Sequence, residues 1–169
     1  MLALILGQNS IGKSYALEKI KENSNDVISY NTMDIQDIYS REYNDERIEI
    51  LSDNKYIDSI DYEKTKLSIK SIYDISNNLE RILYIICKQS DVLLLDEAEL
   101  ELTKTETSIL VHILYDLIDT FKNIYIVTHD NAFLFLTEHP STEVYTVKTT
   151  ANEMQLLKIS EEETYEIID

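Results

Sequence analysis

Gly7-Gln8-Asn9-Ser10-Ile11-Gly12-Lys13-Ser14 matches the pattern G-x-x-x-x-G-K-[ST] at every fixed position. Its flanks support that reading. Residues 2–6 (LALIL) form a short unbroken apolar run that suits a buried parallel strand, and Ile11 to Lys21 has helical character, with Tyr15, Leu17 and Ile20 set among charged residues. A strand that leaves through glycine and enters a helix is the setting of a phosphate-binding loop. The glycines let the backbone N–H groups of Gly7, Gln8, Asn9, Ser10, Ile11 and Gly12 turn inward, and the helix N-terminus adds partial positive charge. Lys13 reaches the terminal phosphates, Ser14 offers a hydroxyl to magnesium, and Tyr15 is the next residue of the same site. The chain has only two glycines, and both lie in this motif.

Downstream, VISY at 27–30 reads as a second strand. VLLLD at 92–96 and IYIVTHD at 124–130 are apolar strands ending in polar residues, and ETSILVHILYDLIDTF between them has apolar residues at helical spacing. This alternation predicts an α/β fold with a mainly parallel sheet flanked by helices. Residues 34–89 contain neither Pro nor Gly and read as an inserted helical layer. EVYTVK and MQLLKI, separated by TTANE, predict a C-terminal β-hairpin, and the acidic stretch 160–169 reads as a frayed tail or an interaction segment. With 44% apolar residues and no repeats, residues 1–169 are expected to form one domain.

Two adjacent carboxylates follow the VLLL strand, at the sheet edge where open α/β sheets bind ligands. Asp96 is the candidate magnesium ligand beside Ser14, and Glu97 the candidate general base for an attacking water. His129, at the end of the next strand, is expected at the same edge, donating to a terminal phosphate or orienting the water. His112 and His139 have no comparable placement and read as structural. The single cysteine, Cys87, lies in ILYIIC and reads as a buried small hydrophobe.

The 32 acidic against 15 basic residues give a formal net charge of −17, which repels phosphate backbones and anionic membranes. That argues against direct nucleic-acid binding, and the acidic surface reads either as the complement of a basic protein partner or as a device for solubility. No stretch is long and apolar enough to span a bilayer, and MLALIL lacks the basic flank of a secretory signal, so a cytoplasmic location is expected.

Taken together these motifs resemble the ABC-type ATPases, in particular the AAA branch that holds the SMC, RecF and OLD-like heads. Gly7 to Ser14 is similar to their Walker A. VLLLDEAELEL is similar to their DEPE-x-x-L Walker B and D-loop, with Ala98 where proline is usual. VTHDNAFLFL resembles their switch segment, with Asp130 and Asn131 in place of Ser and Pro. The resemblance implies a P-loop NTPase fold that binds ATP and Mg2+. It implies Lys13 and Ser14 for phosphate and magnesium, Asp96 and, after the second strand, Gln36 for magnesium, Glu97 as base and His129 as switch histidine. It also implies a sandwich dimer in which a signature segment touches the other subunit's phosphate. Here that segment corresponds to Ile75 to Arg81, where Ser76 fits and Asn77 and Asn78 replace both glycines. The expected activity is an ATP-hydrolysing switch, slow without a partner, associating as a homodimer or heteromer across its nucleotide face. A regulatory module with negligible turnover and a small P-loop kinase are the alternatives. The kinase reading lacks grouped arginines, since the only three are Arg41, Arg47 and Arg81.

Overall fold

The computed structural model describes residues 1–7, 12–30, 35–61, 68–71, 75–150 and 153–168. Gln8, Asn9, Ser10 and Ile11 therefore lie outside the described residues. The apolar runs form strands β1 (Leu2–Leu6), β2 (Val27–Ser29), β5 (Val92–Asp96) and β6 (Asn123–Val127), and the C-terminal hairpin forms β7 (Thr142–Thr150) and β8 (Glu153–Lys158). They assemble into one six-stranded sheet of order β2-β5-β6-β1-β7-β8. Every pairing is parallel except β7 with β8, which runs antiparallel from Tyr145↔Lys158 to Thr150↔Glu153.

The unbroken hydrophobicity of β1 and β5 follows from burial on both faces. Leu2, Leu4, Leu6, Leu93 and Leu95 project into the larger cluster, while Ile5, Val92 and Leu94 project into the smaller one. Helix α1 (Lys13–Glu22) covers the smaller cluster with Ala16 and Leu17. The larger one is covered by α3 (Asp45–Ser52), α4 (Asn77–Ile86), α5 (Lys104–Leu117) and a 3-10 helix at Asn131–Glu138. Helix α5 starts at a capping box: the Thr103 hydroxyl accepts from Glu106 N, and the Glu106 carboxylate accepts from Thr103 N.

Two segments differ from the expectation. Residues 34–89 are not purely helical. Between α3 and α4 lies an antiparallel pair, β3 (Ile57–Asp61) and β4 (Ser68–Ser71), and α2 (Ile35–Ser40) is short. The acidic terminus forms helix α6 (Glu161–Ile168). Its start is capped by Ser160, whose Oγ accepts from Glu163 N, and Thr164 in its first turn is 3% exposed.

Arg47 ties the inserted segment to the sheet. It is 1% exposed and makes no ion pair among the described residues. Its guanidinium donates to the carbonyls of Lys88, Ser90 and Thr120 at 2.7, 2.6 and 3.0 Å and stacks on Phe121, with 3.4 Å between Cζ and the ring centroid. Burial lowers its pKa to about 10, so it is charged at neutral pH. Cys87 beside it is fully buried, and desolvation pushes its thiol up to about 12, as expected of a packing cysteine.

Candidate functional site

The strand order generates the site. β6 lies between β5 and β1, so three neighbouring strands, spaced about 4.8 Å apart, open at one edge where Glu97, His129 and Lys13 meet. The register aligns them: Asp96 pairs with Val127, and Val127 with Ile5.

Gly12 caps α1 in the left-handed region at φ 96, which a residue with a Cβ adopts only under strain. A Cβ there would also meet the end of the Met154 side chain at 3.0 Å. The turn directs the side chain of Lys13, 5% exposed, back across the loop. Its ammonium donates to Gly7 O at 2.6 Å and lies 3.2 Å from His129 Nε2. Burial pulls the Lys13 pKa below its usual value, and nearby Glu97 and Asp96 oppose that pull only in part.

His129 Nε2 is also 2.7 Å from Glu97 Oε1. One ring nitrogen cannot donate to the carboxylate and accept from the ammonium at once. With the proton on Nε2 the shorter contact is a hydrogen bond to Glu97, and Lys13 donates to Gly7 O. Glu97 has left-handed backbone angles, φ 49 and ψ 43, in a non-glycine residue, and opens the 3-10 turn Ala98–Glu101. The sharp turn aims Glu97 along the sheet edge rather than on in the strand direction.

Beside this chain lies a cleft of about 410 Å³ lined by Ser14, Tyr30, Arg81, Asp96, Glu97 and Glu101, with Leu100 at its rim. Ser14, Asp96 and Glu97 thus line one cavity. Tyr15 is 53% exposed on α1 and packs against Lys19. Gln36 is exposed on α2 and is not among the described residues that line the cleft. Ser76 does not project freely: its hydroxyl caps α4 at Leu79 N, and its own N–H donates to Glu106 Oε2 at 2.7 Å. Asn78 Nδ2 donates to Glu101 O, so this helix start is docked on the turn that follows Glu97.

His112 bonds Ser108 O through Nδ1 and stacks on Phe135. His139 Nδ1 accepts from Ser141 N, and Nε2 faces Asp119 at 3.6 Å. Tyr30, Arg81 and Glu101 are cleft residues that sequence reasoning did not single out as site residues. Arg81 is the one with a signal in the sequence, an arginine with no grouped neighbour in a strongly acidic chain. No helix among the described residues is long and apolar enough to cross a membrane.

No protein-family model matches the chain, and no curated protein matches it either. Its backbone is similar to that of solved structures. One is an inward-facing metal-chelate-type ABC transporter, at TM-score 0.56 and 14% identity over 98% of this chain and 76% of that one. A second is an SMC head domain from Thermotoga maritima, at TM-score 0.51 and 12% identity over 85% and 60%. A third is a chain from the complex of archaeal ribosomal stalk protein aP1 with the archaeal ribosome recycling factor aABCE1, at 0.55 and 15% over 96% of this chain but only 35% of that one.

Proposed function

We propose that this chain, which has the P-loop fold of ABC and SMC ATPase heads, binds Mg·ATP on Gly7 to Tyr15 and hydrolyses it. The observation that carries the reading is the contact chain Glu97–His129–Lys13 across three strand ends, beside a cleft that also holds Ser14 and Asp96. The backbone amides at the start of α1 and Lys13 bind the phosphates. A serine hydroxyl and one carboxylate in the same cleft are hard oxygen donors, the set Mg2+ takes alongside substrate phosphates, so Ser14 and Asp96 would hold it. The ion would neutralise charge that develops on the phosphate oxygens. Glu97 accepts the proton of the attacking water, and His129 orients Glu97 and senses the terminal phosphate. For Glu97 to take that proton its bond to His129 must loosen. The bond therefore describes a resting arrangement, and it also favours the second reading, a nucleotide-dependent regulatory module with little turnover.

ATP-driven association across this edge is part of the proposal. Leu100, 74% exposed at the cleft rim, is an apolar side chain suited to burial by a partner surface. Two copies of a −17 chain repel one another within the screening length of roughly 8 Å at physiological salt, which favours a heteromer with a basic protein over a homodimer. The test is Glu97→Gln. Nucleotide binding should persist while hydrolysis falls roughly a hundredfold or more, and light scattering with and without Mg·ATP should show whether the trapped state doubles in mass. Wild-type protein that neither binds nor hydrolyses ATP would sink the reading.

A further inference from the structure

Asp96, Glu97 and Glu99 are three acids within four residues, and they diverge. Asp96 and Glu97 line the cleft, whereas the 3-10 turn carries Glu99 inward, where it is 8% exposed. Among the described residues, both side-chain hydrogen bonds of Glu99 go to the segment after β6. Its Oε1 accepts from Thr128 Oγ1 at 2.6 Å and from His129 N at 3.2 Å. Thr128 is fully buried, and its Oγ1 accepts in turn from Asp130 N at 3.0 Å. Oε2 of Glu99 is buried with no hydrogen-bond partner among the described residues. Burying a carboxylate is costly, and leaving one oxygen unbonded adds to the cost; an apolar or amide residue would seat the turn with less. What the carboxylate contributes in return is two strong acceptor contacts on the residues that carry the imidazole. A backbone bond from Glu97 N to Val127 O at 2.8 Å closes the same bracket from the other side.

We propose that Glu99 is a positioning residue. It fixes the backbone of Thr128 and His129 against the turn that carries the left-handed Glu97, and so sets the imidazole between Lys13 and Glu97. The inference rests on the ATPase reading and adds to it a residue that touches neither nucleotide nor metal. Glu99 acts through His129 alone, so its effect on turnover must vanish when the imidazole is gone.

The experiment is a double-mutant cycle on the full chain, reading kcat and KM for Mg·ATP hydrolysis in wild type, Glu99→Ala, His129→Ala and the double variant. A displaced imidazole predicts that Glu99→Ala lowers kcat roughly tenfold to a hundredfold while KM stays within about twofold. Glu99→Gln, whose amide oxygen can accept the same two bonds, should lie nearer to wild type. In the His129→Ala background, Glu99→Ala should change kcat by less than about twofold. Thr128→Val, nearly isosteric, removes one of the two bonds and supplies the same cycle if Glu99→Ala does not fold. Equal factors in both backgrounds, or a raised KM with kcat untouched, would overturn the inference alone. A wild-type chain with no turnover would overturn the ATPase reading and the inference with it.

Discussion

Replacing Arg47 by methionine tests how the inserted segment is held. The guanidinium serves three carbonyls at 3.0 Å or less, those of Lys88, Ser90 and Thr120, from the end of the α4 segment, the approach to β5 and the 3-10 turn after α5. Methionine fills most of the volume and removes a buried charge, which is favourable, but it leaves the carbonyls in place. Each buried acceptor left without a donor costs about 1–3 kcal/mol. Three at about 1.5 kcal/mol, less a partial return from removing the desolvated cation, give a net loss of about 3–4 kcal/mol. At about 3 °C per kcal/mol for a domain of this size, Tm should fall by about 9–12 °C. Thermal melting followed by circular dichroism, with a urea titration to check that the m-value is unchanged, measures it. A variant that melts within about 3 °C of wild type would show that the carbonyls find other donors and that Arg47 is no clamp.

Gly12→Ala forces a Cβ into φ 96 and against Met154. It should lower stability by about 1–2 kcal/mol and weaken nucleotide binding, and wild-type values for both would refute the strain argument. Burial alone would raise the Glu106 pKa, but its hydrogen bonds from Ser76 and Thr103 outweigh that and hold the carboxyl below its usual 4.5. The charged form therefore stabilises the fold above the unfolded value, and that contribution is lost as pH falls through the lower folded value. The stability gap between wild type and Glu106→Gln, about 1–2 kcal/mol at pH 7, should close in urea titrations taken from about pH 5 downward, and a gap that does not depend on pH would contradict it.

The sheet and the three strand-end residues were legible in the sequence because each is announced locally. An apolar run long enough for one strand is followed at once by Gly7, Asp96 or Thr128-His129. The pair β3–β4 was not, since IDSID and SIKS are short, carry no Gly or Pro turn signal between them, and lie among residues with good helix propensity. Helix α6 had a readable start in Ser160 and Glu163, the S-x-x-E spacing of a capping box, but the density of acidic side chains masked it. Arg47 could not be found from sequence, because its closest partners are backbone carbonyls, which no residue type records. Glu99 was hidden for a related reason. Alternation along the turn assigns it no face, and only the 3-10 geometry turns it inward while Glu97 and Glu101 stay at the cleft.

The unequal covering of the two sheet faces sets the order in which the molecule comes apart. Helix α1 is held by a small cluster and presents Glu18, Lys19 and Glu22 to solvent, whereas α4 and α5 are buried along much of their length. Amide exchange in α1 is therefore expected through a partial opening of low free energy, while β5 and β6 exchange only when the whole chain unfolds. A phosphate ligand gripped at the start of that helix would bind an element less secured than the central strands. Its occupancy would be read most sensitively as slowed exchange in α1, well before it became visible in the melting of the body.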